Sequence, residues 1–434
     1  MTSPVEPWSG TPAVSQLLIG GEWVRGEATM DVRDPATEEA FASIAVAGAR
    51  EVDRAVFAAR SALKSWAAIA PPERAKIIHR WADLAERDAE ILSMLEARDV
   101  GKPLAEARIN TAAAVHQIRY FAGLADKSHG ETLPTWDDRH VGFTTVEPRG
   151  VCAMIMAWNV PTNFAADGVA AAIAAGSSVV YKPSDFAPLA PMALLGLAVE
   201  AGVPDGLINV VVGGAETGKA LSAHPGIHHM TFVGSTFTGK SILQATAANL
   251  VPTKVELGGK SAALVFADAD ISAAARALTH AIVENAGQKC NVLSRVIVDH
   301  RVAADFVDAA RAVMDETRIG PWNANVDMGP LVNLAQRDRV MGFVERAKAA
   351  GCRPVSGGGP LDEHPRGYFV APTLFDQVDN TMEIAREEVF GPVLSVISVD
   401  GESAMVEAAN DNDYGLMAGV FTNDLGRAHR TAAA

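Results

Sequence analysis

Apolar residues in the first part of the chain recur every three or four positions. Residues 50–68 show this spacing along one side and predict an amphipathic helix. The pair Pro71-Pro72 marks the start of a second helix, because proline suits the first helical positions. A third helix is predicted over 106–125, after a stop at Gly101-Lys102-Pro103. All three are interpreted as packing helices with solvated charged faces, and no chemistry is needed to explain them.

From Val151 onward the pattern changes to short apolar runs separated by helical stretches. Runs that are apolar throughout fit strands buried on both faces, and strands that alternate with helices are typical of a parallel sheet. A second series of this kind begins near Ser261. The fold class is therefore predicted to be α/β, with two successive Rossmann-like parallel-sheet domains. The predicted strands are 151–158, 177–183, 208–214, 229–235, 261–267, 294–300 and 393–399, and the helices between them are 164–175, 189–201, 216–223, 237–248, 271–286, 302–316 and 334–350.

Composition narrows the classes of partner. The 434 residues are 49% hydrophobic, which excludes wholesale disorder and allows a large core. With 52 acidic against 37 basic side chains the net charge is −15, which argues against nucleic acids and anionic membranes as partners. The longest nearly apolar run, 168–176, is far below the ~20 residues that span a bilayer.

The ends and the cysteines add little chemistry. Residues 1–11 show no basic segment followed by an apolar one, so no secretory signal is expected and the cytoplasm is the predicted compartment. Cys152, Cys290 and Cys352 are too few for a disulfide framework, and their spacings do not suit zinc. No metal site is predicted.

The first candidate motif is FVGSTFTGK (232–240), where a strand leads into a helix. Gly234, Ser235 and Gly239 would leave backbone N–H groups at the helix N-terminus open to a phosphate. The motif lacks the full dinucleotide fingerprint, and tight packing alone also explains such a turn.

The second motif is KPSD (182–185), directly after a predicted strand. Parallel sheets bind ligands at the carboxyl ends of their strands, so Lys182 and Asp185 are candidates for hydrogen bonds to ribose hydroxyls. The alternative is a capped helix start, with Ser184 or Asp185 as the N-cap.

The third motif is GQKCNVLSR (287–295), which places Cys290 in a loop between a helix end and a strand. Structural cysteines more often lie inside apolar runs, as Cys152 does. A thiolate nucleophile is favoured by the neighbouring Lys289 and a nearby helix end, and a structural cysteine is the alternative.

Two further motifs carry one polar residue each. In KVELGGKS (254–261) Glu256 ends a short apolar run, and such a carboxylate is usually solvated or ion-paired. In AWNVP (157–161) the Asn159 amide is placed to donate to an oxyanion, or equally to cap the helix before Pro161.

Taken in order, these motifs resemble the aldehyde dehydrogenase superfamily. The resemblance runs from about Ile19 to the last residue, and the 34 positions from Glu256 to Cys290 (290 − 256) match the family's spacing. The motifs that carry it are AWNVP, KPSD, FVGSTFTGK, ELGGKS, GQKC, EEVFGPV (387–393) and NDYGL (412–416).

The resemblance implies a role for each catalytic candidate. Cys290 is the implied nucleophile, which attacks an aldehyde carbonyl as thiolate. Its backbone N–H and the Asn159 amide would hold the oxyanion, and Glu256 would activate water to hydrolyse the thioester. The implied cofactor is NAD, with NADP less expected, and the implied cofactor contacts are Trp158, Lys182, Asp185, Gly218, Gly234, Ser235, Gly239, Leu257, Glu388 and Phe390.

The resemblance also implies the domain plan. Residues 1–125 and 149–258 would form the NAD-binding domain, 126–148 an oligomerisation arm and 259–434 the catalytic domain. A homodimer or homotetramer is expected. The family pattern continues beyond NDYGL by about 50 residues, less than a usual domain, so a C-terminal segment that pairs with a neighbour's arm is expected to be missing and to be needed for full activity.

Departures from the family pattern bear on specificity. Asp185 stands where NAD-preferring relatives mostly carry Glu, and either carboxylate should repel a 2′-phosphate. Asp167 and Gly168 replace an aromatic residue and a lysine near the substrate tunnel, which favours a cationic aldehyde. Lys289 favours an anionic one, so the substrate stays open.

Two alternatives to an acid-forming dehydrogenase remain at this stage. One is a CoA-acylating semialdehyde dehydrogenase, against which the retained Glu256 argues, since a CoA acceptor needs no water-activating base. The other is an inactive or binding protein that keeps the fold. The expected partner is a small-molecule aldehyde.

Overall fold

The structure is a computed structural model that describes residues 16–361 and 363–434. The chain divides into two compact units. Of the described residues, the first unit holds 16–33, 40–99 and 107–256, and the second holds 34–39, 100–106 and 257–434. Residues 1–11, for which no secretory signal is expected, lie outside the described residues.

The first unit contains the following elements. Its strands are β1 (Leu17–Ile19), β2 (Glu22–Val24), β3 (Ala28–Arg33), β4 (Ala40–Val46), β5 (Thr132–Leu133), β6 (Gly142–Phe143), β7 (Val151–Ile155), β8 (Ser178–Lys182), β9 (Ile208–Val210), β10 (His229–Val233) and β11 (Thr253–Glu256). Its helices are α1 (Ala49–Ala67), α2 (Pro71–Arg87), α3 (Ala89–Val100), α4 (Leu104–Leu124), α5 (Pro161–Ala174), α6 (Leu189–Glu200), α7 (Ala215–Ser222) and α8 (Thr236–Ala247). The last residue of α3 and the first three residues of α4 belong to the second unit.

The main sheet of this unit has the order β11-β10-β7-β8-β9-β1-β2. The five strands from β7 to β11 are parallel, and β1 joins β9 in the antiparallel direction. Every residue of β8 is buried, and β7 is buried apart from its last residue, as the uninterrupted apolar runs predicted. The carboxyl ends of the parallel strands therefore share one edge of the sheet.

Large buried side chains join the helices of this unit to one another. Trp66 and Trp81 are fully buried, and their indole N–H groups donate to the carbonyl oxygens of Ile173 at 2.8 Å and Leu194 at 2.9 Å. Burying a large apolar side chain stabilises a fold by about 1.5–3 kcal/mol. The second predicted helix is in fact two, because Asp88 ends α2 as its C-cap.

The second unit repeats the α/β pattern. Its sheet has the order β14-β15-β16-β13-β12-β17 and is parallel except for β14. Its elements are β12 (Ala262–Val265), α9 (Ile271–Val283), β13 (Arg295–Asp299), α10 (Ala303–Asp315), α11 (Leu334–Ala349), β14 (Arg353–Ser356), β15 (Thr373–Asp376), α12 (Glu383–Arg386), β16 (Val393–Val399), α13 (Glu402–Asn410), β17 (Ala418–Phe421) and α14 (Leu425–Ala433), with a 3-10 helix at Glu284–Gly287. The two parallel-sheet domains confirm the predicted fold class.

The observed units differ from the predicted plan in three short segments. Residues 34–39, 100–106 and 257–258 belong to the second unit, whereas the sequence had placed them in an NAD-binding domain of 1–125 and 149–258. Long-range backbone hydrogen bonds explain the difference for the first two segments. The Leu104 N–H donates to Trp322 O at 2.9 Å, and the Tyr368 N–H donates to Pro35 O at 3.0 Å.

The predicted arm, 126–148, contains an antiparallel pair of very short strands. Thr132 in β5 stands opposite Phe143 in β6. Its part in assembly remains a prediction. Within the described residues no helix is both long enough and apolar enough to cross a bilayer.

Candidate active site

The polar candidates of the first unit follow the parallel strands at one sheet edge. Trp158 and Asn159 come after β7, Lys182 ends β8, Gly234 comes directly after β10, and Glu256 ends β11. This is the edge at which open parallel sheets bind ligands. The strand order therefore gathers residues that are about 100 positions apart in sequence.

Lys182, Asp185 and Gly218 form one cluster. Lys182 is 6% exposed, and its ammonium donates to Pro183 O at 3.3 Å. Burial lowers the pKa of Lys182, while the carboxylate of Asp185 raises it. A Cβ on Gly218 would lie 3.9 Å from Lys182 Cε, so a side chain there would occupy the space beside the lysine.

The helix-cap alternative for KPSD is not what the structure shows. Helix α6 begins at Leu189 with Pro188 as its N-cap. The carboxylate of Asp99 accepts the Leu189 N–H at 2.7 Å. Asp185 is therefore not the N-cap of this helix, and its role in binding a ligand remains a prediction.

Gly234, Ser235 and Gly239 stand at the start of α8. Ser235 is the N-cap, and its hydroxyl accepts the Thr238 N–H at 3.2 Å. The Gly234 N–H donates to Glu256 O at 3.1 Å, which ties the turn to the neighbouring strand. The other N–H groups of the first turn of this 12-residue helix point out of its N-terminus, as an anion site requires.

Glu256 has an ion-pair partner on its own strand. Lys254 Nζ lies 3.2 Å from Glu256 Oε1, with both side chains about half exposed. Such a surface pair contributes at most about 1 kcal/mol, so Glu256 is not locked in place. Burial raises the pKa of Asp167, with the charge of Glu256 adding to the effect and Lys254 opposing it.

Asn159 lies in the loop between β7 and α5 and is 4% exposed. The N-cap of α5 is Val160, with no side-chain cap. The N-cap position of α5 is therefore occupied by Val160 and not by Asn159.

In the second unit, Cys290 follows an unusual turn. Asn285, Ala286 and Gly287 have φ angles of 48°, 52° and 70°, all in the left-handed region. Cys290 is partly buried, whereas Cys152 and Cys352 are buried and burial raises the pKa of both thiols.

Lys289, next to the nucleophile candidate, has a partner of its own. Its ammonium forms an ion pair with the Glu284 carboxylate. The anionic-substrate interpretation of Lys289 therefore weakens, because a carboxylate already balances its charge.

Glu388 is held by the backbone beside Cys290. Its Oε1 accepts the Gly259 N–H at 2.9 Å, and a Cβ on Gly259 would lie 2.6 Å from Cys290 O. Burial raises the pKa of Glu388, and the Gly259 N–H, Arg339 and Lys260 lower it. The structure thus brings Glu388 and the Cys290 loop to the same glycine, directly after Leu257 and Gly258.

Phe390 takes a left-handed backbone with φ of 57°. Gln336 Nε2 donates to Phe390 O at 2.7 Å, and Arg339 donates to Glu388 O at 2.7 Å. The segment that carries both residues is therefore fixed by side chains of α11.

Two residues of this region had no role from the sequence. A Cβ on Gly214 would lie 3.8 Å from Asp185 Oδ2, so this glycine helps to shape the Asp185 cluster. Lys260 is 2% exposed, its Nζ has no hydrogen-bond partner among the described residues, and burial with the nearby Arg295 lowers its pKa to about 7. The sequence could have pointed to Gly214, because it belongs to a glycine pair that follows a strand. For Lys260 the sequence gives no such indication beyond its place in the GGKS motif.

Comparison with known proteins gives a consistent result. A model of the aldehyde dehydrogenase family matches residues 23–434. A putative aldehyde dehydrogenase from Burkholderia cenocepacia is 41% identical, with a TM-score of 0.94 over 96% of this chain and 89% of that one. A mutant form of aldehyde dehydrogenase from Bacillus cereus is 37% identical, with a TM-score of 0.94 over 96% and 86%.

A third solved structure contains a cofactor. It is betaine aldehyde dehydrogenase from Staphylococcus aureus in complex with NAD⁺, 33% identical, with a TM-score of 0.95 over 96% of this chain and 85% of that one. Since the family match runs across the described sequence almost from end to end, and these relatives share a third or more of its residues, the chain belongs to the aldehyde dehydrogenase family.

Proposed function

We propose that this aldehyde dehydrogenase oxidises an aldehyde to a carboxylic acid with NAD, through a thiohemiacetal and a thioester on Cys290. The setting of Cys290 carries the proposal. It is partly buried, follows a left-handed turn and adjoins the glycine that binds Glu388, whereas the other two cysteines are buried. A reactive thiol needs this combination of access and fixed surroundings.

NAD fits the Asp185 cluster. Gly214 and Gly218 leave open the space beside Asp185 and Lys182 that side chains would fill. A carboxylate at Asp185 accepts hydrogen bonds from ribose hydroxyls and repels a 2′-phosphate, so NAD is favoured over NADP.

The remaining cofactor contacts are those that the family resemblance implies. The N-terminus of α8, at Gly234 and Ser235, would receive the pyrophosphate. Glu388 would accept from the nicotinamide ribose, Phe390 would contact the ring, and Trp158 would line the cleft. Bound NAD supplies the hydride acceptor for the oxidation.

Cys290 and Asn159 carry the first chemical stage. The Cys290 thiolate attacks the carbonyl carbon, a C–S bond forms, and the carbonyl electron pair moves onto oxygen. The Asn159 amide and the Cys290 N–H donate to that oxyanion, and loss of one such donor typically costs about 10²–10³ in rate. As the oxyanion re-forms a carbonyl, carbon loses hydride and the thioester remains.

Glu256 carries the second stage. It takes a proton from water as the water oxygen attacks the thioester, the C–S bond breaks, and the Cys290 thiolate leaves with the bonding pair. The acid product departs and Glu256 returns its proton to solvent, for which its half-exposed side chain is suited.

Substrate charge is the open part of this proposal. The carboxylate of Glu284 neutralises the charge of Lys289. Asp167 provides a carboxyl group in the segment that forms the substrate tunnel in the family. We expect a cationic aldehyde to show a higher kcat/KM than a neutral or anionic one of similar size. Asp167→Asn should reduce this preference, because it removes the charge with little change in shape.

A panel of neutral, cationic and anionic aldehydes, followed by NADH absorbance, tests the main proposal. Cys290→Ala is the matched control and should abolish turnover, with Cys352→Ala unaffected. Products are analysed with and without CoA. Activity in Cys290→Ala, or a thioester product in the presence of CoA, would reject the mechanism.

We also propose that the arm mediates self-association. Trp136 and Val141 are 88% and 82% exposed on this small hairpin, which two-residue strands cannot stabilise alone. Light scattering of Trp136→Ser together with Val141→Ser should show a smaller species than the unmodified protein, and an unchanged mass would reject this surface.

A further inference from the structure

Glu106 binds the backbone of the turn that precedes Cys290. Its Oε2 accepts the Asn285 N–H at 2.8 Å, although 179 positions separate the two residues. Glu106 lies in the first turn of α4. No motif or family role had singled it out.

The segment that carries Glu106 is anchored in the second unit. The Leu104 N–H donates to Trp322 O at 2.9 Å. Gly101 is packed so closely that a Cβ would lie 2.9 Å from Pro330 and 3.1 Å from Pro35. The carboxylate is therefore presented by a fixed piece of backbone and not by a solvated helix end.

The turn itself needs to be held. Asn285 and Ala286 are not glycines, yet both take left-handed φ angles, which L-residues disfavour. Gly287 continues the turn, and a Cβ there would lie 2.2 Å from Gly391 O. Such a conformation persists only where surrounding contacts determine it.

Gln288 supplies further contacts to this turn. Its Nε2 donates to Asn285 O at 2.9 Å, and its Oε1 accepts the Val332 N–H at 2.9 Å. Glu106 thus binds the Asn285 N–H and Gln288 binds the Asn285 carbonyl, so the two peptide units that flank the Asn285 Cα are both held. Cys290 follows two residues after Gln288.

We infer that Glu106 is a positioning residue for Cys290: its carboxylate holds the left-handed turn 285–287 and thereby fixes the nucleophile. The inference rests on the proposed role of Cys290. Burial raises the pKa of Glu106, while Lys102, the Asn285 N–H and Lys289 lower it and Glu284 raises it. The acceptor oxygen matters most for this role, so a glutamine should serve nearly as well.

Three variants separate positioning from general stability. Glu106→Ala removes the acceptor, Glu106→Gln keeps it without charge, and Glu90→Ala removes an exposed carboxylate that pairs with Arg108. Hydrogen–deuterium exchange of the peptide covering 285–290, kcat, and the KM for NAD are measured on each. Exchange requires no activity, so it tests the turn even if the proposed function fails.

We expect Glu106→Ala to increase the rate of hydrogen–deuterium exchange in 285–290. It should also lower kcat about tenfold or more at a nearly constant KM for NAD, because a displaced nucleophile slows the chemical step without changing how NAD binds. Glu106→Gln should stay within about threefold of the unmodified enzyme and Glu90→Ala should not differ. Ala286→Gly added to Glu106→Ala should recover part of kcat, since glycine accepts the left-handed region.

Unchanged exchange and kcat in Glu106→Ala would overturn the inference, and so would a Glu106→Gln variant as impaired as the alanine. If Glu106→Ala does not fold, Glu106→Asp takes its place, because it keeps the charge but shortens the side chain by one methylene. An unmodified enzyme with no Cys290-dependent turnover would reject the proposed function alone, and the exchange result would still decide the role of Glu106 in the turn.

Discussion

The backbone N–H of Gly259 donates a hydrogen bond of 2.9 Å to Glu388 Oε1, across 129 positions of the chain. The preceding residue is also glycine, and a Cβ on Gly258 would lie 2.3 Å from Glu388 Oε2. Gly258 is therefore needed because a side chain at this position would overlap the Glu388 carboxylate, whereas a side chain on Gly259 would overlap Cys290 O. Its position fixes the residue that is proposed to bind the nicotinamide ribose.

Gly258→Ala is predicted to displace Glu388. The new methyl group overlaps the carboxylate, so the hydrogen bond to Gly259 is strained or lost. A hydrogen bond to a charged group contributes about 1.5–3 kcal/mol, which corresponds to a Kd for NAD that is roughly 10- to 100-fold higher. Calorimetric titration with NAD measures the change.

Gly123→Ala is the matched control for this prediction. Gly123 lies in α4, and in the described part of the chain an added Cβ there would meet no side chain or other segment within 4 Å, so its replacement should leave the Kd unchanged and raise helix stability slightly. A Gly258→Ala protein with the NAD affinity of the unmodified enzyme would show that Glu388 does not hold the cofactor.

Asp185 is predicted to select NAD over NADP. Asp185→Asn keeps the size and a hydrogen-bonding oxygen but removes the charge, so the repulsion of a 2′-phosphate disappears. The ratio of kcat/KM for NAD to that for NADP should fall at least about tenfold, with most of the change in NADP. Asp185→Ala should lose affinity for both cofactors, and a ratio unaffected by either variant would place selectivity elsewhere.

The parallel-sheet core was predictable from the sequence because its signal is local. Strands β7 and β8 are almost wholly buried apolar runs, and the carboxyl end of β8 places Lys182 without any knowledge of distant contacts. Short strands such as β14 and β17, four residues each, lack that signal. Their pairing depends on neighbours that the sequence does not identify.

Residues whose role depends on packing were not predictable. Glu106 reads as an ordinary first-turn acid of a helix, and only the fold brings it to Asn285. Lys260 follows two glycines in a polar-looking motif, yet it is 2% exposed. Lysines are rarely buried, so a sequence pattern favours the wrong environment for this side chain.

Lys260 is predicted to make stability depend on pH. Burial lowers its pKa from 10.5 to about 7 in the folded state. Below pH 7 the lysine is charged in both states and the folded protein bears the full cost of a buried ammonium. Between pH 7 and pH 10.5 the lysine is neutral in the folded state but still protonated in the unfolded state. Because the unfolded state binds one more proton, the free energy of unfolding increases as the pH rises through this range.

Lys260→Met should remove this dependence. The variant is expected to have a higher Tm than the unmodified protein, and the increase should be larger at pH 6 than at pH 9. The stabilising effect of the substitution on the free energy of unfolding should differ between the two pH values by on the order of a few kcal/mol. Lys76→Met, at an exposed lysine of α2, should show no such pH dependence. Equal Tm differences at the two pH values would mean that Lys260 stays charged throughout.

Glu256→Gln is predicted to separate the two halves of the reaction. Glutamine cannot accept a proton from water, so steady-state kcat should fall about 10²–10⁴-fold. Formation of the thioester does not use Glu256 in the proposed mechanism, and one equivalent of NADH per active site should still appear rapidly. Mass spectrometry of the intact protein should then detect an acyl group that maps to Cys290.

Lys254→Met is the matched control, because Lys254 Nζ lies 3.2 Å from Glu256 Oε1 and both side chains are about half exposed. Exposed pairs contribute little, so kcat should change less than about threefold. A Glu256→Gln protein with no NADH burst and no acyl group would move Glu256 to an earlier step, activation of the thiol. Unchanged turnover would remove it from the mechanism, since base-assisted hydrolysis needs an acceptor at this position.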